Sequence, residues 1–214
     1  QPVDHFSFSA GTSSLPIRYL VNTDGCPAAD DSLKNNSQEQ DDRASSCPVI
    51  FYCGGEDSID AFANATGFLW QLRLELKAVL VYVEHRYYGE SWPSSVSSVD
   101  DAQPLIYLTS SQVLADFVAI AAALPYGPTV SVGGSYGGML AAWLRAQYPD
   151  VFIAAFASSA PVLAFQNRTA KTPAAPVPTG YWGSCAAVYS SFVFFSVFLF
   201  VPRSDASLAT LFCF

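Results

Sequence analysis

The sequence predicts an α/β fold with a parallel sheet that is covered by helices on both faces. Short apolar segments rich in Val, Ile and aromatic residues alternate with helical segments throughout 47–161, which is the order of a parallel sheet with crossover helices. The apolar run at 78–86 lacks the in–out alternation of half-exposed strands, as expected when both faces are covered. Of the 214 residues, 51% are apolar, so the composition allows a real core.

The first half of this pattern has clear boundaries. The segment "CPVIFYCGG" (47–55) predicts a buried strand that two glycines end. A helix is predicted over 62–77, with Leu69, Leu72 and Leu76 on one face. The segment "AVLVYVEHR" (78–86) predicts a second buried strand, and 94–104 is predicted to be a loop.

The second half repeats the pattern. A helix is predicted over 109–125, where hydroxyl residues can cap its start and proline ends it. A third strand is predicted over 129–133. Strong helix formers up to a closing proline predict a helix over 138–149, and "VFIAAFASSAP" (151–161) predicts a fourth strand.

The composition changes after residue 165, so we divide the chain into a partial domain (1–165), a Pro-rich linker (166–184) and an apolar tail (185–214). Residues 185–201 carry no charge, and three interpretations compete. They are a short membrane segment, a cleaved lipid-anchor signal, or translated non-native sequence from an intron or frameshift. The third is favoured because residues with thymine-rich codons dominate, and a membrane segment comes second.

Charge and cysteine content exclude several classes. The net charge of −8 argues against nucleic-acid binding, which needs clustered Lys and Arg, and the acidic residues of 24–42 are expected in a solvated loop. The five cysteines fit neither a full disulfide set nor a metal site, and no cofactor is implied. Three glycosylation sequons favour a secretory route, lysosomal or extracellular: Asn35, Asn64 and Asn167. Since the first residue is Gln1, we expect a removed signal peptide or a fragment.

The segment "SVGGSYGGML" (131–140) contains a G-x-S-x-G motif between a predicted strand and a predicted helix. In this context Ser135 is a candidate nucleophile on a sharp turn, and Gly133 and Gly137 leave room for that turn. The backbone N–H of Tyr136 would stabilise an oxyanion, with a second N–H from the loop at 54–55 (Gly54 and Gly55). The competing interpretation is a Gly-rich turn that contains a serine by chance.

Several segments together resemble one family. "GGSYGGMLAAWLRAQYP", "VEHRYYGESWP", "NATGFLW", "YLTSSQVLADF" and "FASSAPV" are similar to the lysosomal Pro-X carboxypeptidase and dipeptidyl peptidase II family of serine exopeptidases, from about residue 2 to 165. The resemblance implies an α/β-hydrolase fold with a later helical cap, and acyl-enzyme cleavage of peptides with proline near a terminus. It implies Ser135 as the nucleophile, and it allows dimers of full-length relatives.

The sequence departs from the family at two places. The loop after the first core strand is "GGED" (54–57), where the family has a sequence close to GNEG. The resemblance therefore does not carry over to this loop the second oxyanion donor or a contact of Glu56 with the substrate terminus. The triad order of this fold is Ser, Asp, His, yet the two histidines, His5 and His85, both precede Ser135. We expect His85 to pack with Glu84 and Arg86, and His5 to lie in a strand or loop.

These departures predict an inactive chain, because a serine without a base in hydrogen-bond reach is a poor nucleophile. The helical cap and the late strands of the fold are missing from the match, so we expect an incomplete sheet with an unpaired edge, and low stability. The alternative function is a truncated or membrane-tethered product that acts only by binding. A different α/β-hydrolase, such as an esterase, is disfavoured by the joint presence of "EHRYYGE" and "GGSYGG".

Overall fold

The computed structural model describes residues 1–7, 14–26, 47–93, 104–162 and 196–199. Within these ranges one sheet has the strand order β1-β3-β2-β4-β5-β6. Its strands are β1 (Tyr19–Asn22), β2 (Val49–Cys53), β3 (Val79–Val83), β4 (Thr129–Gly134), β5 (Phe152–Ser158) and β6 (Ser196–Leu199). Strands β3, β2, β4 and β5 are parallel, and β1 and β6 flank them in antiparallel orientation. The predicted fold class, a partial α/β-hydrolase domain, is confirmed.

Helices occupy the connections between the parallel strands. They are α1 (Ile59–Ala65), α2 (Gly67–Glu75), α3 (Ser110–Ala123) and α4 (Ser135–Gln147), with a 3-10 turn at Pro104–Tyr107. The single helix predicted over 62–77 is wrong in extent, since Thr66 interrupts it. The Thr66 hydroxyl donates to the Phe62 carbonyl at 2.9 Å and lies 2.5 Å from the Tyr82 hydroxyl, so a partly buried polar contact competes with helix continuation.

The two faces of the sheet form two apolar clusters, as the unalternating strands predict. On one face Phe51 packs edge-on against Phe117 of α3 and Phe152 of β5, with ring centroids 5.7 and 5.4 Å apart. On the other face Tyr52 and Tyr82 pack with residues of α1 and α2. Every residue of β2 and β3 is buried, which explains why neither strand alternates in sequence.

The tail contributes a strand to this sheet. Residues 155–158 of β5 pair with β6, so β5 is not an edge strand of the described sheet. The linker 166–184 and the rest of 185–214 lie outside the described residues. No helix of the described part is long and apolar enough to cross a membrane.

One disulfide and one buried thiol account for three of the cysteines. Cys26, just after β1, is bonded to Cys47, just before β2. Cys53 at the end of β2 is a buried free thiol, and its burial raises the thiol pKa. The disulfide closes the acidic segment into a loop whose two ends are fixed next to the sheet.

Candidate active site

Ser135 lies at the carboxyl end of β4 and is the first residue of α4. Its backbone has φ +53°, a left-handed conformation that is disfavoured for a residue with a side chain. The chain therefore turns sharply from strand to helix at this serine, and the side chain is exposed. The predicted helix start at 138 is wrong, because α4 begins three residues earlier, at Ser135.

The glycines of the motif are required by close packing. A Cβ at Gly133 would lie 2.2 Å from the Gly137 carbonyl oxygen, and a Cβ at Gly137 would lie 2.4 Å from the Cys53 carbonyl oxygen. Distances below 3.0 Å are not tolerated between such atoms. The first turn of α4 is thus pressed against the ends of β2 and β4, which is the geometry of a strained strand-to-helix turn.

Three backbone amides near Ser135 differ in whether they are available to bind an oxyanion. Tyr136 lies in the first turn of α4, where an amide has no acceptor within its own helix. Gly54 donates its N–H to the Val83 carbonyl at 2.9 Å, so this amide is occupied in the sheet and not free for an oxyanion. Gly55 follows it, and a Cβ on Gly55 would lie 3.7 Å from the Gly137 nitrogen. Of the two expected loop donors, the geometry leaves Gly55.

His85 is buried at the end of β3 and does not bond to Ser135. Its Nδ1 lies 2.7 Å from the Arg86 carbonyl oxygen, and since a carbonyl only accepts, Nδ1 carries a proton. Burial lowers the pKa of His85 to about 4, so at neutral pH the ring is uncharged and Nε2 is an acceptor. The Tyr136 hydroxyl lies 3.2 Å from Nε2 and donates to it.

The Glu84 carboxylate is hydrogen-bonded to the loops on either side of the candidate site. Its buried carboxylate accepts the Ile59 amide at 3.0 Å, the Glu90 amide at 2.9 Å and the Ser91 hydroxyl at 2.7 Å. These bonds join the start of α1 to the loop after β3. Glu84 therefore fixes the start of α1 relative to the loop after β3, next to the candidate site.

His5 belongs to a buried cluster that we call the N-terminal clasp: His5, Arg86 and Asp116. Arg86 binds the Asp116 carboxylate through Nε at 2.6 Å and Nη2 at 2.8 Å, and His5 Nε2 lies 2.7 Å from the same carboxylate. Arg86 also donates to the carbonyl oxygens of Pro2 and Val3. The clasp holds the first residues of the chain against α3, and sequence reasoning assigned no role to Asp116.

Both histidines of the chain are therefore engaged elsewhere. Within the described ranges, no histidine or carboxylate is hydrogen-bonded to Ser135. The residue after Ser135, Tyr136, packs its ring against His85 with centroids 5.4 Å apart. Burial raises the pKa of Tyr136 to about 12, and the nearby charge of exposed Glu56 adds to this effect. Burial and, after it, the same charge raise the pKa of Tyr88.

Of the predicted glycosylation sites, Asn64 is exposed in α1. Asn35 and Asn167 lie outside the described residues.

Known proteins resemble this chain over most of its length. The model of the family described as serine carboxypeptidase S28 matches residues 35–170. The human lysosomal Pro-X carboxypeptidase is 42% identical over 174 residues, which cover 78% of this chain and 32% of that protein. Prolyl carboxy peptidase like protein 5 of Caenorhabditis elegans is 38% identical, with 78% of this chain and 31% of that protein covered. The chain spans about a third of the length of these relatives. Among solved structures, a proline iminopeptidase from Mycobacterium smegmatis has a TM-score of 0.46 at 17% identity, covering 69% of this chain and 42% of that one.

Proposed function

The chain belongs to the serine carboxypeptidase S28 family, and we propose that it carries the nucleophile half of a serine exopeptidase site for peptides with proline near a terminus. The observation that carries this proposal is the exposed Ser135 at φ +53° between β4 and α4. The names of the Pro-X carboxypeptidase relatives support the substrate class. Whether the carboxyl or the amino end of the peptide is cleaved would depend on residues beyond this part of the fold.

The proposed chemistry assigns one role to each group. The Ser135 Oγ attacks the scissile carbonyl carbon, and the backbone N–H groups of Tyr136 and Gly55 donate to the oxygen that becomes negative. The attacking hydroxyl must lose its proton in this step. His85 Nε2 already accepts the Tyr136 hydroxyl, and His5 is bound in the N-terminal clasp, so neither takes that proton.

We therefore propose that the 214-residue chain binds a prolyl peptide without turning it over. A site that lacks its base keeps only the weak catalysis of the oxyanion hole and of binding. The engagement of both histidines also favours the alternative function, in which the chain acts only by binding.

The experiment combines turnover and binding on the purified chain. We expect a prolyl-linked chromogenic peptide to be released no faster than by the Ser135→Ala variant, while an equivalent uncleavable prolyl peptide binds. Release that depends on Ser135 would contradict the proposed inactivity. Absence of peptide binding would contradict the proposed substrate class.

A secretory, lysosomal or extracellular location is proposed on two grounds. The disulfide between Cys26 and Cys47 is typical of proteins that fold in an oxidising compartment, and Asn64 is exposed in its sequon. The names of the mammalian relatives include the lysosome. Expression in secreting cells followed by glycosidase treatment tests this, and we expect a mass shift that is smaller in Asn64→Gln than in the wild-type chain.

A further inference from the structure

Ser159 follows β5 at the end of the sheet where Ser135 follows β4. Gly134, the last residue of β4, is in register with Ser158, the last residue of β5. The next residue of each strand is a serine, and neighbouring strands lie about 4.8 Å apart. A Cβ at Gly138 of α4 would lie 3.0 Å from the Ser158 carbonyl oxygen, so the helix packs tightly against this turn.

The two serines share a disfavoured backbone conformation. Ser135 has φ +53° and Ser159 has φ +50°, although neither is glycine. Such conformations persist only where the surrounding structure holds them, and they concentrate at functional sites. Tyr87 and Lys77 also have positive φ, +66° and +50°. Tyr87 lies in the turn after β3, where its amide donates to the Ser91 carbonyl at 2.8 Å. Lys77 is the second residue after α2, where Ala78 donates to the Arg73 carbonyl at 2.8 Å. That is a common way of ending a helix, whereas Ser159 follows a strand.

The side chain of Ser159 is positioned to meet a ligand. Ser159 is exposed, and within the described ranges no residue hydrogen-bonds to its hydroxyl. A hydroxyl both donates and accepts hydrogen bonds, so it can pair with either group of a peptide unit. Because Ser135 and Ser159 follow paired residues of neighbouring strands, we expect a peptide bound at Ser135 to come within reach of this hydroxyl.

We propose that Ser159 is a substrate-contacting residue whose hydroxyl hydrogen-bonds to the backbone of the bound peptide and fixes its register on Ser135. This assignment rests on the proposed function. It accounts for a serine that is kept in a conformation better suited to glycine. Replacement by glycine should then raise the unfolding temperature and weaken peptide binding. A purely structural role of Ser159 would not produce this combination.

The test measures affinity and thermal stability of the full chain with the tripeptide Ala-Pro-Phe as the probe. This peptide suits both family activities, because removal of its last residue and removal of its first two residues cleave the same bond. By isothermal titration we expect Ser159→Ala to weaken binding by about three- to tenfold, the effect of one hydrogen bond. Ser159→Gly should weaken binding equally and raise the unfolding temperature, because glycine adopts positive φ without steric cost.

Lys77→Gly is the matched control, since it relieves the same backbone conformation away from Ser135. It should raise the unfolding temperature and leave affinity unchanged. Unchanged affinity in both Ser159 variants would overturn the assignment of Ser159 and leave the proposed function standing. An equal loss of affinity in Lys77→Gly would have the same consequence. A wild-type chain that does not bind the tripeptide would overturn the proposed substrate class together with this assignment.

Discussion

The Asp116→Asn substitution tests the N-terminal clasp, which holds the first residues of the chain against the fold. The buried Asp116 carboxylate receives two bonds from Arg86, at 2.6 and 2.8 Å, and one from His5 at 2.7 Å. Asparagine keeps the volume of the side chain but removes its negative charge. Arg86, which is fully buried, would then carry an uncompensated charge.

The structure sets the size of this effect. Removing one partner of a buried ion pair costs about 3–5 kcal/mol, because the remaining charge stays desolvated. A domain of this kind has a free energy of unfolding of about 5–15 kcal/mol. We therefore expect Asp116→Asn to remove about a fifth or more of the free energy of unfolding. His5→Ala, which removes the more exposed partner, should cost less.

Urea denaturation followed by tryptophan fluorescence measures the free energy of unfolding. Asp60→Asn is the matched control, because Asp60 forms a similar two-pronged pair with Arg18 at the surface, where such pairs contribute little. We expect a large loss for Asp116→Asn and almost none for Asp60→Asn. Equal losses in the two variants would refute the reasoning about burial.

Three further predictions concern the turn at Ser135, pH and the disulfide. Gly133→Ala should destabilise the fold strongly, because its Cβ would lie 2.2 Å from a carbonyl oxygen, whereas Gly134→Ala, with nothing within 4 Å, should be tolerated in a thermal melt. Because the folded pKa of His85 is lowered to about 4, the unfolded chain binds that proton more tightly. Stability should thus fall as pH drops from about 6.5 to 4, and His85→Gln should flatten this part of the urea-derived pH profile. Reduction of the bond between Cys26 and Cys47, 21 residues apart, should lower the free energy of unfolding by about 3 kcal/mol.

Local sequence patterns predicted the parallel core because strands that are buried on both faces consist of apolar residues in an unbroken run. The unbroken apolar runs at 49–53 and 79–83 placed β2 and β3. The glycines around Ser135 predicted a sharp turn for a steric reason that the packing reproduces. Helix propensity misplaced the start of α4, since two glycines in its first turn are poor helix formers and tertiary packing overrides them.

Interactions between distant parts of the chain could not be predicted in this way. His5 and Asp116 are 111 residues apart, and no periodicity links them. The Gly54 amide is bonded to the Val83 carbonyl of the neighbouring strand. Only the register of β2 against β3 shows that this amide is not available as an oxyanion donor. The positive φ of Ser159 likewise leaves no mark on composition or spacing.

The central claim is that Ser135 sits on a nucleophile turn while both histidines of the chain are held by other partners. Intact-mass spectrometry after incubation with a fluorophosphonate probe tests it most directly, because the probe reacts with serines that a base activates. We predict no adduct on the wild-type chain beyond that on Ser135→Ala. A stoichiometric adduct on Ser135 that His85→Gln abolishes would contradict the account, since it would make His85 the base.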